Sequence, residues 1–217
     1  MNHLFPYIEL ALLHPDVTLN EQYSALDDVT QLSMAGMTVA PFWVKKFRRE
    51  LGESHPAVLA TVVGYPYGYQ RTEAKQSEVE WALNDGASEV EIVLNTSALF
   101  SPSADWLKVE VAKLVKLAHA REKFLTVILE SALLTPDQQK HLIKLSSDAG
   151  ADFLKNATGS RPDPFSLETA LQFRQDVPSS VGVKVIADGA SSKQLETLIG
   201  ADIERLTLRY PSPLLEG

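Results

Sequence analysis

Four ionisable residues sit where apolar strands would otherwise be expected. Lys155 lies in Asp-Phe-Leu-Lys-Asn-Ala-Thr-Gly, Lys184 in Val-Gly-Val-Lys-Val-Ile-Ala-Asp-Gly, and Glu91 in Glu-Val-Glu-Ile-Val-Leu-Asn, while Glu130 ends Val-Ile-Leu-Glu. Lysine and glutamate are seldom buried unpartnered, because taking the charge out of water is expensive. One reading is structural: Lys155 or Lys184 pairs with Glu91, or the lysine heads reach back to water at a rim. The other is chemical. Two lysines on neighbouring strands destabilise each other as cations and depress one pKa. A free lysine at pKa about 10.4 is only about 0.04% neutral at pH 7, and a shift to about 7 makes half the molecules nucleophilic. That is what an imine-forming lysine requires, and a nearby carboxylate then moves the protons for dehydration and for deprotonation beside the imine.

Metal-dependent chemistry has weaker support. His3, His14, His55, His119 and His141 are scattered without paired spacing, and His119 and His141 fall in helical stretches. The chain has no cysteine, which removes disulfides, thiolate metal sites and cysteine nucleophiles. No metal and no cofactor is expected.

Elements of two kinds must position these groups. Short apolar runs alternate with amphipathic stretches, the pattern of a parallel α/β protein. Strands are expected at Tyr7–Leu13, Met37–Pro41, Ala57–Tyr65, Glu89–Asn95, Phe124–Glu130, Asp152–Thr158, Val181–Ala187 and Glu204–Leu208. Helices are expected at Asn20–Ala35, Phe42–Leu51, Thr72–Asp85, Asp105–Arg121, Pro136–Ala149, Phe165–Gln175 and Ser191–Ile199. Gly36, Gly86 and Gly150 read as left-handed residues closing helices, and Thr135-Pro136 as an N-cap followed by an N1 proline. Eight strands in 217 residues, with no linker or second composition, fit one domain over 1–217: an α/β protein of the (β/α)8 TIM barrel class. Chemistry in such barrels is done at the C-terminal ends of the strands, where the lysines and glutamates lie.

The composition is ordinary for a globular chain, 45% hydrophobic and 22% charged. The net charge of -8 argues against nucleic acid, and the only basic cluster, Lys45, Lys46, Arg48 and Arg49, reads as a solvated helix face. No run approaches the about 18 apolar residues of a membrane span. The first apolar stretch, Leu4 to Leu13, is broken by Pro6 and Glu9 and lacks the flanks of a secretion signal, so no membrane partner and a cytoplasmic location are expected.

These residues together resemble the deoxyribose-phosphate aldolase family. The resemblance runs over most of the chain and is carried by Val-Val-Gly-Tyr-Pro-Tyr-Gly (62–68) with Thr72-Glu73-Ala74-Lys75, and by Gly-Ala-Ser-Glu-Val-Glu-Ile-Val-Leu-Asn (86–95). It continues in Val-Ile-Leu-Glu-Ser-Ala-Leu-Leu-Thr (127–135), Ala-Gly-Ala-Asp-Phe-Leu-Lys-Asn-Ala-Thr-Gly (149–159) and Val-Gly-Val-Lys (181–184). It implies a metal-independent class I aldolase with Lys155 as the Schiff-base lysine and Lys184 as the lysine that perturbs it. Glu91 stands where the family has a proton-relay aspartate, and Glu9 where it has an aspartate on the first strand. Thr158 and Gly159 fall in the substrate-binding segment.

The chain also departs from the pattern. Glutamate at positions 9 and 91 reaches about 1.5 Å further than aspartate. Ala11 replaces a threonine, and Thr126 replaces a lysine on the fifth strand. The family builds its phosphate site from Gly- and Ser-rich loops after the last two strands. Here those loops read Ala-Asp-Gly-Ala-Ser-Ser (187–192) and Leu-Thr-Leu-Arg-Tyr (206–210). Gly189 with Ser191 and Ser192 offers half a site. Arg205, Thr207 and Arg209 share one strand parity and can point together into the mouth as an alternative, side-chain anion site, or lie at the rim. Asp188 is placed to weaken the influence of Lys184 on Lys155.

The leading expectation is an aldehyde-lyase making and breaking aldols with an acetaldehyde-type donor, on an aldehyde or sugar phosphate, with an altered substrate and a homodimer as the assembly. The alternative is a barrel that has lost catalysis and acts as a binding or scaffold protein.

Overall fold

The computed structural model describes residues 2–100, 105–161 and 163–212. Eight parallel strands close into a barrel in chain order: β1 (Ile8–Leu12), β2 (Gly36–Val39), β3 (Val58–Val63), β4 (Glu89–Val93), β5 (Phe124–Ile128), β6 (Phe153–Lys155), β7 (Gly182–Ile186) and β8 (Arg205–Arg209). Seven α-helices lie between them among the described residues: α1 (Leu19–Gln31), α2 (Val44–Leu51), α3 (Thr72–Asn84), α4 (Asp105–His119), α5 (Pro136–Asp148), α6 (Leu167–Asp176) and α7 (Ser192–Gly200). The expected (β/α)8 barrel is therefore the observed one.

Every expected strand exists, though most are shorter than their apolar runs. The largest difference is β6, three residues long where seven were expected. Its ladder stops because Asn156 turns its side-chain oxygen onto the amide of Ile186 at 2.9 Å. Pro41 opens a single 3-10 turn, Pro41–Trp43, so α2 starts at Val44 rather than Phe42. Gly86 and Gly150 follow α3 and α5 with φ of 99° and 94°, as their helix-closing role requires. Gly36 does not close α1. It is the first residue of β2, and a Cβ there would stand 2.1 Å from the Val58 carbonyl oxygen, so glycine is needed for strand approach. Thr135 caps α5 with a reciprocal bond to Gln138, behind Pro136 at N1.

The strands divide their residues by parity. Outward residues such as Leu10, Met37, Ile92, Leu154, Val183 and Leu206 are buried in one apolar cluster with the helices. Inward residues include Glu9, Thr38, Glu89, Glu91, Thr126, Lys155, Lys184 and Thr207, all buried. The interior is thus polar where such barrels usually carry branched apolar layers. The basic face of α2 is only partly solvated. Arg48 folds back, giving Nε to the Gly86 carbonyl at 2.7 Å and Nη2 to Ser88 at 2.7 Å. Between α3 and α4 a buried Lys75 gives its ammonium to Glu110 at 2.7 Å and to the Val93 carbonyl at 2.8 Å. Among the described residues no helix is long and apolar enough to cross a membrane.

Candidate active site

The centre of the site is a carboxylate shared by two lysines. Lys155, the last residue of β6, is the register partner of Lys184 on β7. Glu91, reaching across from β4, takes Lys155 Nζ on Oε2 at 2.8 Å and Lys184 Nζ on Oε1 at 2.9 Å. Lys184 is further bound to Glu9 Oε2 at 2.8 Å and lies against Glu89 Oε1. The ring of Phe153 lies below the same ammonium, 5.7 Å from it. A Cβ on Gly182 would come within 2.4 Å of that ring, so the glycine makes room for it.

Electrostatics follow from this crowding. Burial, the largest influence on Lys184, pulls its pKa down, but Glu89, Glu9 and Glu91 together outweigh it and hold the group well above the ordinary lysine value. Burial pushes Glu9 up, and Lys184 with Lys155 and a hydrogen bond from Thr38 overcome it, bringing the carboxyl to about 2. Glu89 is raised, first by burial and then by its neighbours Glu9 and Glu91.

Above this cluster the barrel mouth holds a cavity of about 350 Å³. Its wall includes Ala11, Leu13, Tyr65, Thr158, Thr207 and Arg209. Thr158 is fixed by Glu130, whose Oε2 accepts from the Thr158 amide at 3.1 Å and hydroxyl at 2.6 Å. Glu130 has φ 52°, ψ 56°, a left-handed conformation unusual for a glutamate, so it ends the run beyond β5 instead of extending it. Burial, and secondarily Glu130, raises the pKa of the Tyr65 phenol beside it.

The structure brings Lys155, Lys184, Glu91 and Glu9 into one buried cluster and Thr158, Gly159 and Arg209 to the mouth cavity. Gly189 lines an adjoining groove with Arg209 and Asp188. Ser191 faces α7 instead: its hydroxyl is engaged with Gln194 in a capping box. Arg205 does not share the mouth with Arg209. It begins β8 at the opposite end of the barrel and bonds the Glu204 carbonyl. Asp188 stays off Lys184 and pairs with Arg209. Sequence reasoning missed Glu89, although its parity with Glu91 would have found it, and it missed Thr38. Among the described residues no group of three His, Asp or Glu side chains is arranged to hold a metal ion.

Comparison with known proteins shows the family of the chain. Residues 22–201 match the model of the DeoC/LacD family aldolases. The chain is 31% identical over 212 residues to the deoxyribose-phosphate aldolase of Thermococcus kodakarensis, covering 97% of this chain and 95% of that protein. It is 34% identical over 200 residues to the deoxyribose-phosphate aldolase of Brevibacillus brevis, covering 92% and 89%. A solved deoxyribose phosphate aldolase from Aeropyrum pernix, described as tetrameric, superposes with TM-score 0.83 at 26% identity over 95% of this chain and 86% of that one. With more than half its length matched by the family model and relatives above 30% identity along nearly all of it, this chain belongs to the DeoC/LacD family of aldolases.

Proposed function

We propose that this protein is a metal-independent class I aldolase that works through an imine on Lys155. The observation that carries the reading is the Glu91 carboxylate standing between Lys155 and Lys184, each within 2.9 Å of it. Glu91 is placed to relay a proton from the Lys155 ammonium to the carbinolamine hydroxyl that leaves as water, while Lys184 fixes the carboxylate by its other oxygen. The freed Lys155 amine adds to the carbonyl carbon of an acetaldehyde-type donor, and loss of water from the carbinolamine gives the iminium ion. Removal of a proton from the adjacent carbon gives an enamine that adds to the acceptor aldehyde. Hydrolysis of the product iminium returns the free lysine, and the reverse sequence cleaves the aldol. Thr158, Gly159 and Arg209, on the cavity wall, meet the substrate, and Glu9 positions Lys184.

One observation favours a different reading, a barrel that binds without catalysing. Lys155 is 1% exposed and its ammonium is already satisfied by Glu91. Incubation with acetaldehyde followed by borohydride separates the two. The aldolase reading expects an ethyl group on Lys155 and none in Lys155→Met, located by peptide mass analysis. No modification of the wild-type protein would support the binding barrel.

A further inference from the structure

Phosphate groups are held in proteins by several unobstructed backbone amides backed by a cation. Around this mouth the protein's own acceptors already take several of those amides. After β7, the amide of Ala190 goes to the Ala187 carbonyl at 3.1 Å and that of Ser191 to the Gln194 side chain at 2.9 Å. After β6, the amides of Thr158 and Ser160 go to Glu130 and to the Thr158 hydroxyl. At the end of β8 the Tyr210 amide goes to the Ala11 carbonyl.

The decisive position is the amide beside the arginine. Asp188 Oδ1 accepts the Arg209 amide at 2.6 Å, while its Oδ2 lies 3.9 Å from Arg209 Nε. Arg209 spends Nη2 on the Gly159 carbonyl at 3.1 Å. A carboxylate of the protein therefore sits on an amide and beside the one arginine of this cavity wall, where an anionic end of a ligand would have to sit. The rest of the wall is apolar or hydroxylated, with Leu13, Pro15, Ile186, Tyr65 and the Thr207 hydroxyl, which is buried without a partner among the described residues, apart from one imidazole, His14, whose two ring nitrogens are engaged by Asp16 and the Tyr210 carbonyl.

We infer that Asp188 acts as a built-in anion that closes the mouth to phosphorylated compounds, so that the substrate is an uncharged, unphosphorylated aldehyde or hydroxyaldehyde. This inference rests on the aldolase reading for its chemistry, but the exclusion of phosphate is a binding property with its own readout.

The test compares retro-aldol cleavage of 2-deoxyribose and 2-deoxyribose 5-phosphate by the full-length protein, alongside calorimetric titration with inorganic phosphate. Like charges brought together at a binding surface are costly, so kcat/KM is expected to favour the unphosphorylated sugar by at least about tenfold. Inorganic phosphate is expected not to bind the wild-type protein. Asp188→Ser, and the milder Asp188→Asn, free the Arg209 amide or remove the charge, and should shift preference toward the phosphate ester through KM and produce saturable phosphate binding. Wild-type preference for the ester, wild-type binding of phosphate, or variants no better at binding phosphate would each overturn the inference. If acetaldehyde trapping fails, the aldolase reading falls, and the phosphate titrations alone still decide the role of Asp188.

Discussion

Thr126 on β5 donates its hydroxyl to Glu89 Oε1 on β4 at 2.5 Å. Position 126 is where the resemblance expects a lysine, so β5 brings Glu89 a neutral donor instead of a cation. Glu89 shares Lys184 with two other carboxylates, and burial then favours its protonated form. A carboxyl whose folded-state pKa is raised contributes stability that is present below the unfolded pKa and lost as pH rises through the folded one. Glu89→Gln mimics the protonated group. Its stability relative to the wild type should therefore improve as pH rises from 5 to 8, read by urea unfolding, and a trend in the other direction would refute the assignment.

Glu9 has the opposite sign. Its pKa is lowered from 4.5 to about 2, so its contribution is complete above the unfolded value and is lost as pH falls through 2. The shift corresponds to a contribution on the order of 3 kcal/mol. Glu9→Gln is expected to lose about that much in urea unfolding at pH 7 and far less near pH 2.

Removing the cation should do more damage than removing one of its partners. Lys184→Met leaves Glu9, Glu89 and Glu91 buried around an apolar side chain, with Lys155 as the remaining ammonium. Breaking a buried pair in this way costs about 3 to 5 kcal/mol, and chemical denaturation measures it. A loss under about 1 kcal/mol would show that Lys184 is not what holds the Glu9 carboxylate in its ionised form.

Gly182→Ala tests the floor of the cluster. The added methyl meets the Phe153 ring at 2.4 Å, which should destabilise the barrel by about 1 to 3 kcal/mol. In a double-mutant cycle, Phe153→Leu should relieve most of that loss, whereas independent, additive effects would place the strain elsewhere.

The barrel and its lysine pair were legible in the residues because a charged side chain inside an apolar strand has few explanations, and strand parity fixes where it points. Lys155, Lys184 and Glu91 follow that logic, whereas Glu9 was reached through the family resemblance. Glu89 was harder to see, since a glutamate opening an apolar run reads as the solvated edge of a strand. Arg205 shows the converse limit. Parity groups it correctly with Thr207 and Arg209, yet four residues of strand carry it about 13 Å below the mouth. The partner of Asp188 was set by a loop, where a change of direction sends the carboxylate to Arg209 rather than back to Lys184. The early end of β6 likewise depends on one side chain, Asn156, replacing ladder bonds that no periodicity encodes.

The left-handed Glu130 has a mechanical meaning. Because one of its oxygens holds both the amide and the hydroxyl of Thr158, separating the segment after β6 from β5 would strip a 3% exposed carboxylate of its two donors at once. That side of the mouth behaves as a fixed jaw. The segment after β3, where Tyr67 stacks on Tyr69 with both rings exposed, has a clamp of its own, because the Tyr67 carbonyl accepts both the amide of Thr96 at 3.1 Å and its hydroxyl at 3.2 Å. Breathing of the barrel rim should therefore be small at both segments, so that under the proposed aldolase reading the substrate's path to Lys155 does not open by parting either of them from its neighbour.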